Sequence, residues 1–289
     1  MNDYLLQTIK GPARARFIVN DEFEGIEQVC NREAIAKKYI RGEGIEIGAL
    51  HKPLAIDTRM AKVRYLDYKT MEENRKRYPE LAKEDIVETA IIDDGFILSS
   101  LLPDSVDFVI ANHALEHSPD PYGTLEIWLS RLKIGGVIYV TVPIAEKCYD
   151  KGRPLTSMAH LANDHYAFMN LDKDAILETT ASHLKEFIAI SGANIRTMNN
   201  IEPAAPGLDD KLHVKLMQKL VVAFNAADTY SDIISAHINC INRVYDIHYH
   251  TFSPTSYENF LTQFCAVNLA TLETVIKNGN GVCIAIIRK

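Results

Sequence analysis

GIEIGALHKPL, residues 44–54, decides how this 289-residue chain is read. Ile45 to Ile47 is a short apolar run, and Gly48 turns the chain at its end. A buried strand closing on a glycine turn is where α/β sheets take nucleotide-like ligands. Glycine there lets the backbone approach a ligand that a Cβ would block. Acidic Glu46 stands two residues before that glycine. Alone the pattern is weak, since a dinucleotide fingerprint carries three turn glycines where this stretch has one. Its weight comes from the apolar runs and polar strand ends that recur downstream at regular spacing.

Apolar runs rich in β-branched residues recur at 45–47, 63–66, 86–92, 106–111 and 137–142. Runs this apolar suit strands buried on both faces, as in a parallel sheet. Helical stretches lie between them. Residues 69–83 form one, which Pro79 ends or kinks. Residues 120–133 form another, where Leu125, Trp128, Leu129 and Leu132 make a stripe at helical spacing and Gly135-Gly136 supplies the stop. Strand–helix alternation implies right-handed βαβ units in an open sheet. The first link, holding Pro53, is close to the shortest parallel crossover, so only a turn or two of helix, or irregular chain, is expected there.

Toward the C-terminus, Ser253-Pro254 is a cap followed by proline at the first helical position, opening a helix to about Cys265. Residues 270–277 and 282–288 are strand-like and joined by Asn278-Gly-Asn-Gly281, a hairpin signal. The stretch 145–252 is far longer than such a sheet needs between its fifth strand and last helix. Helical segments near 171–189, 210–227 and 230–245 suggest a helical cap. Residues 21–41 read as a helical lead.

Composition narrows the function. The hydrophobic share of 47% supports a sizeable core, and the net charge of −7 argues against a nucleic-acid surface. No apolar run reaches the ~20 residues of a membrane span, so no stable membrane insertion is expected. The start, MNDYLLQTIK, lacks a basic n-region and an apolar core, which makes a cytoplasmic protein the expectation. The five cysteines are scattered with no C-x-x-C, and reduced thiols are expected.

Polar residues fall at the ends of consecutive strands: Glu46 with Gly48, then Asp67, then Asp93-Asp94, then Asn112. In open parallel sheets ligands sit outside these carboxyl ends. An acid about 20 residues after the glycine turn is placed to accept hydrogen bonds from ribose hydroxyls. No run of glycine amides or lysine is present to cradle phosphates. Acids suit a cationic cofactor better than a pyrophosphate. The plain reading of each residue is a strand-end turn or cap, and one of Asp93 and Asp94 is expected to be merely solvated.

On the series GIEIGALHKPL, VRYLDY, IIDDG, VDFVIANHALEHSPDP and GGVIYVTVP, the chain resembles the Rossmann-type S-adenosylmethionine (SAM)-dependent methyltransferases over about 40–150 and 253–289. GEGIEIGALHKPL, ANHALEH and RPLTSMAHLANDH further resemble methyltransferases that accompany glycosyltransferases in surface-polysaccharide biosynthesis. The resemblance implies an α/β fold with a seven-stranded, mostly parallel sheet, an antiparallel C-terminal hairpin and a helical insert. It implies one domain over 1–289, with a lead at 1–41, a SAM-binding core at 42–144 and 253–289, and a substrate cap at 145–252. SAM is the implied cofactor. Glu46 and Gly48 would border its methionine part, with Ala49 and Leu50 continuing the turn. Asp67 would hold the ribose diol, Asp94 with Gly95 would flank adenine, and Asn112 would lie next to the methyl group. The chain departs from the family where Ala49-Leu50-His51 and Lys52-Pro53 replace the second and third turn glycines.

Methyl transfer to a hydroxyl needs a base, and histidine suits it. His160 and His165 with Asp164 are the first candidates; His117 lies beyond the fourth strand beside His113; His248 and His250 are next in line near the same edge, and His213 is less placed. No ligand spacing matches a recognised metal motif, so no metal is expected. Lys151 and Arg153 read as solvated loop charges, or as partners of a substrate carboxylate or phosphate. The expected activity is methyl transfer to a sugar or polysaccharide hydroxyl, on a small-molecule or glycan acceptor and not on nucleic acid. A small-molecule O- or N-methyltransferase and a non-catalytic binding module of the same fold remain alternatives. A homo-oligomer or a glycosyltransferase partner also stays open.

Overall fold

The computed structural model describes residues 32–200, 208–242, 246–278 and 281–289. Most of the N-terminal lead, Cys30, Pro203 and Pro206 lie outside them.

The apolar runs form a seven-stranded sheet. Its strands are β1 (Gly42–Ile47), β2 (Ala61–Asp67), β3 (Ile91–Ile92), β4 (Val106–Asn112), β5 (Leu132–Pro143), β6 (Thr271–Asn278) and β7 (Val282–Arg288). They lie in the order β3-β2-β1-β4-β5-β7-β6. β1 to β5 are parallel, and β7 runs antiparallel to both β5 and β6. The mixed α/β sheet and antiparallel C-terminal pair expected from the sequence are therefore present. Order reverses between β1 and β4, and such a switch point opens a crevice at the carboxyl edge.

Side-chain alternation sends the two faces of each strand into different cores. Val109 and Ala111 pack with Ile45, Trp128, Phe260 and Phe264. Phe108 and Ile110 pack on the other face with Ile35, Ile40, Tyr139 and Ile284. Only glycine fits at position 44, because a Cβ there would lie 2.3 Å from the Phe108 carbonyl oxygen on β4.

The helices are α1 (Arg32–Tyr39), α2 (Met71–Arg77), α3 (Pro121–Arg131), α4 (Met158–Met169), α5 (Lys173–Glu186), α6 (Gly192–Met198), α7 (Leu208–Phe224), α8 (Tyr230–His237) and α9 (Pro254–Val267). The link from β1 to β2 holds no helix. α2 ends before Pro79, and α9 begins with the expected Ser253 cap and Pro254 at its first position.

Three expectations are corrected. The third strand is only Ile91–Ile92, not 86–92. It lies at the sheet edge with one partner and exposes Ile92, so nothing drives a longer ladder. α3 stops at Arg131, and Leu132 already pairs with Val106 as the first residue of β5. Gly135-Gly136 therefore shapes a bulge within a strand, with Gly135 at φ +82°, and does not stop a helix. Finally, α4 was not expected. Ser157 caps it by accepting from the His160 N–H at 3.2 Å, and Leu161, Ala167 and Phe168 are its buried side.

The stretch 145–252 builds its own core from Phe168, Ile176, Leu184, Leu220, Phe224 and Ile234. α5 and α8 each run on into a π-helical turn, Phe187–Ser191 and Ile238–Asn242. Four cysteines among the described residues, Cys148, Cys240, Cys265 and Cys283, are free thiols. No helix of the described residues is long and apolar enough to cross a membrane.

Candidate active site

A cleft of about 250 Å³ opens at the carboxyl edge, where β1, β2 and β4 end. That is just under the ~300–1,000 Å³ usual for small-molecule sites. Gly48, Leu50, Asp67, Asp94 and Gly95 line it, so five of the eight expected cofactor residues meet in one place. Gly48 sits at φ +63°, and a Cβ there would meet nothing within 4 Å, so its turn faces open space. Asp67 ends β2 and accepts from the Lys69 N–H at 3.1 Å. Burial raises its carboxyl above the usual value, against the Asn74 side chain and backbone N–H groups that favour the charged form. Asp94 accepts from the Phe96 N–H at 2.8 Å.

Asp93 turns away and brackets the next loop. Its carboxylate accepts from the Ser100 N–H at 2.7 Å and from the hydroxyls of Ser99 and Ser100. Asp93 is thus held by the loop, where one of the two acids was expected to be merely solvated. Gly95 reaches the cleft, but packing accounts for its identity: a Cβ would lie 2.5 Å from Ile47 Cγ2.

Glu46, Ala49 and Asn112 are not among the lining residues. Glu46 is fully buried and accepts from the Leu54 N–H at 2.9 Å and the Asn112 amide at 3.0 Å. It ties the glycine turn to β4, in place of the expected border on methionine. Burial pushes its carboxyl up to about 7 against those two hydrogen bonds and the pull of Arg32. Asn112 also takes a bond from Thr141 Oγ1 at 3.4 Å, so it works as a clamp.

Sequence reading missed several walls of this cleft. Tyr68, Tyr78 and Phe96 are aromatic, while Ile238, Asn242 and Asp246 come from the insert. Nothing local in the sequence marks them; in the structure Ile238 and Asn242 belong to a π-helical turn, a feature that gathers at functional sites. Three carboxylates, Asp67, Asp94 and Asp246, line the cleft, and no lysine or arginine does among the described residues. Arg77 lies behind, 3.7 Å from Asp246 and over the rings of Tyr68 and Tyr78.

The histidines divide. His113 and His117 line the cleft. His113 is half-exposed, and its Nδ1 is 3.4 Å from Oε1 of the buried Glu116. His117 contacts the Ile247 carbonyl through Nδ1 at 2.8 Å, and burial with neighbouring His248 lowers its pKa. His160, Asp164, His165 and His250, expected as catalytic, do not line this cleft. The helix rotates residues five apart about 140° from each other, so His165 leaves the side of α4 that carries His160. It meets Asp120 at 3.0 Å and Tyr122 instead. Burial lowers the His165 pKa, but Asp120 and Glu126 outweigh it and raise the net value. Asp120 is the cap of α3, accepting from the Gly123 N–H at 3.0 Å, so this pair is built into the packing.

Arg153 is neither solvated nor aimed at a substrate. It is buried, donates to Asp150 at 2.9 Å and to the His248 carbonyl at 2.8 Å. His248 completes that network, its Nδ1 on Asp150 and its Nε2 on the Tyr149 hydroxyl at 2.6 Å.

No family model matches the chain, and no curated protein matches it. Solved structures similar to it include a SAM-dependent methyltransferase from Aquifex aeolicus at 8% identity, covering 86% of this chain and 82% of that one with a TM-score of 0.37. Mitomycin 7-O-methyltransferase MmcR is 14% identical over 86% of this chain and 49% of its own, with a TM-score of 0.37. A protein provisionally described as a zinc-dependent alcohol dehydrogenase, from Rhodobacter sphaeroides, is 14% identical over 89% of each chain at a TM-score of 0.43. Likeness this distant assigns no activity, and the chemistry has to be argued from the cleft.

Proposed function

We propose that this chain is a SAM-dependent methyltransferase acting on a hydroxyl of a sugar or polysaccharide intermediate. The acidic cleft carries the reading. Three carboxylates, with no lysine or arginine lining the cleft among the described residues, oppose a pyrophosphate and favour a ligand with cationic and hydroxyl-donor groups. SAM has both, an ammonium and a sulfonium as well as a ribose diol.

When bound, SAM supplies an electrophilic methyl group on a cationic sulfur. Asp67 would accept from the ribose hydroxyls, and Asp94 would face donors of the base. Gly48 would let the turn approach without a side chain. His113 is the base in this reading: the buried Glu116 carboxylate lies 3.4 Å from its Nδ1 and would stabilise the imidazolium formed when the ring takes the acceptor's proton. The stretch 145–252 serves as substrate cap, contributing Ile238, Asn242 and Asp246 to the cleft. Resemblance of residues 42–54, 111–117 and 153–165 to polysaccharide-associated methyltransferases supports a sugar acceptor.

A mass-detected screen of nucleotide sugars and glycan fragments tests the acceptor, where a gain of one methyl is expected on a sugar. Methylation of non-sugar hydroxyls alone would move the chain to another acceptor class. His113→Ala should lower turnover by roughly 10²–10⁴-fold, and by more than it weakens SAM binding. Wild-type turnover in that variant would place the base elsewhere.

A further inference from the structure

Four ligand-type side chains converge in the insert, away from the cofactor cleft. His160 and Asp164 lie one turn apart on α4, His183 comes from α5, and His250 from the extended segment before α9. His160 Nε2 and His183 Nε2 lie 3.0 and 3.2 Å from the same Asp164 oxygen, Oδ2. The two nitrogens are 3.1 Å from each other. His250 Nε2 is 3.8 Å from Asp164 Oδ2, and the ligand atoms of all four residues fall within 4.8 Å of one another.

Protons alone cannot satisfy this triangle. If both Nε2 atoms carry hydrogen toward Asp164, two N–H groups crowd each other at 3.1 Å. If one of them does not, its lone pair faces the carboxylate lone pairs. Either way one edge is repulsive, in a site where Asp164 and His183 are buried and poorly screened. One cation among the three atoms turns every edge favourable. Zinc bonds of ~2.0–2.2 Å to nitrogen and oxygen put tetrahedral ligands roughly 3.3–3.5 Å apart, a few tenths of an ångström beyond what is found.

The surroundings agree. The other Asp164 oxygen accepts from Thr179 Oγ1 at 2.7 Å, the outer-shell bond that orients a metal-binding carboxylate. His250 is 1% exposed, its Nδ1 has no hydrogen-bond partner among the described residues, and its Nε2 makes only a long 3.4 Å contact with the Pro119 carbonyl. His160 and His183 also line a cavity of about 500 Å³, which gives an ion access. The neighbouring group around His248 lacks the conflict, because Asp150 and Tyr149 engage both of its ring nitrogens.

We propose that His160, Asp164, His183 and His250 form a binding site for a zinc-type divalent cation, open on one side to that cavity. Three imidazoles and one carboxylate select a borderline transition ion over magnesium or calcium, which prefer all-oxygen shells. The site is separate from the SAM cleft and does not depend on the methyltransferase reading.

The test is zinc titration of the full, untagged, chelator-treated chain, with metal counted by mass spectrometry and cobalt(II) as a spectroscopic probe. One ion per chain and tetrahedral cobalt absorption bands are expected. Asp164→Asn and His183→Ala should abolish both, whereas His213→Ala should change neither. His160→Ala removes a ligand that is partly exposed and spares the packing. It should weaken binding by more than the ~10–100-fold typical of losing an outer-shell partner. A wild-type chain that takes up no zinc would overturn the proposal, and so would a folded His160→Ala variant that binds zinc as tightly as the wild type.

Discussion

The carboxyl edge of the sheet and the helical insert both gather polar side chains, by different means. At the edge, each strand end contributes a residue or two: Gly48 after β1, Asp67 on β2, Asp94 after β3 and His113 after β4. They meet because parallel strands end side by side, and the cleft between them stays open. In the insert, Asp150, Arg153, Ser191 and His248 meet although almost a hundred residues separate the first from the last, and they are buried. The edge displays its polar groups, whereas these four of the insert are internal ties.

If that contrast is right, removing a tie should cost folding stability and leave the edge chemistry to the folded fraction. Asp150 takes bonds from Arg153 and from Ser191 Oγ at 2.7 Å, besides His248. Asp150→Ala should therefore destabilise the chain by about 2–4 kcal/mol in urea unfolding, since Arg153 loses its closest carboxylate and keeps only Glu186 at 3.7 Å and two backbone carbonyls. A loss below ~1 kcal/mol would show that the network is not a tie.

Glu46 blurs the contrast, as a strand-end acid that is buried like the insert's groups. Its pKa rises from 4.5 to about 7 in the folded chain, so the folded state holds this proton more tightly than the unfolded one. Between those values the folded state binds more protons, and stability falls as pH rises through the window. At ~1.4 kcal/mol per unit the effect is on the order of 3 kcal/mol. Glu46→Gln should flatten the melting-temperature slope between pH 4.5 and 7 relative to wild type. An identical slope would mean that Glu46 is solvated like the display residues.

Gly95 separates packing from binding at the edge. A Cβ at 2.5 Å from Ile47 Cγ2 has to displace the β-branched Ile47 side chain from its packing, so Gly95→Ala should cost about 1–3 kcal/mol of stability. An unaltered unfolding midpoint, with SAM affinity lost, would instead make Gly95 a binding residue.

The same contrast explains what could be read in advance. The sheet was legible because continuous apolar, β-branched runs and glycine turns are local signals, and topology then places every strand end. The choice of Asp94 over Asp93 came from the family resemblance, whereas Asp67 followed from that topology. Glu46 and Asn112 did not, because which way a strand-end side chain turns depends on whether a neighbour such as the Leu54 N–H claims it. Tyr78, Asn242 and Asp246 reach the cleft from elements whose packing angle is not written in any one segment. RPLTSMAHLANDH holds His160 and Asp164 at i, i+4 spacing, but His183 and His250 join them only through packing of α4, α5 and the last extended segment.

Calorimetric titration of SAM into the wild-type chain and into Asp67→Ala tests the central claim most directly. Saturable binding to the wild type is predicted, weakened in the variant by about 1–3 kcal/mol through loss of charge-assisted hydrogen bonds. No heat from the wild type at millimolar SAM, or equal affinity in a folded Asp67→Ala variant, would contradict a SAM site at this edge.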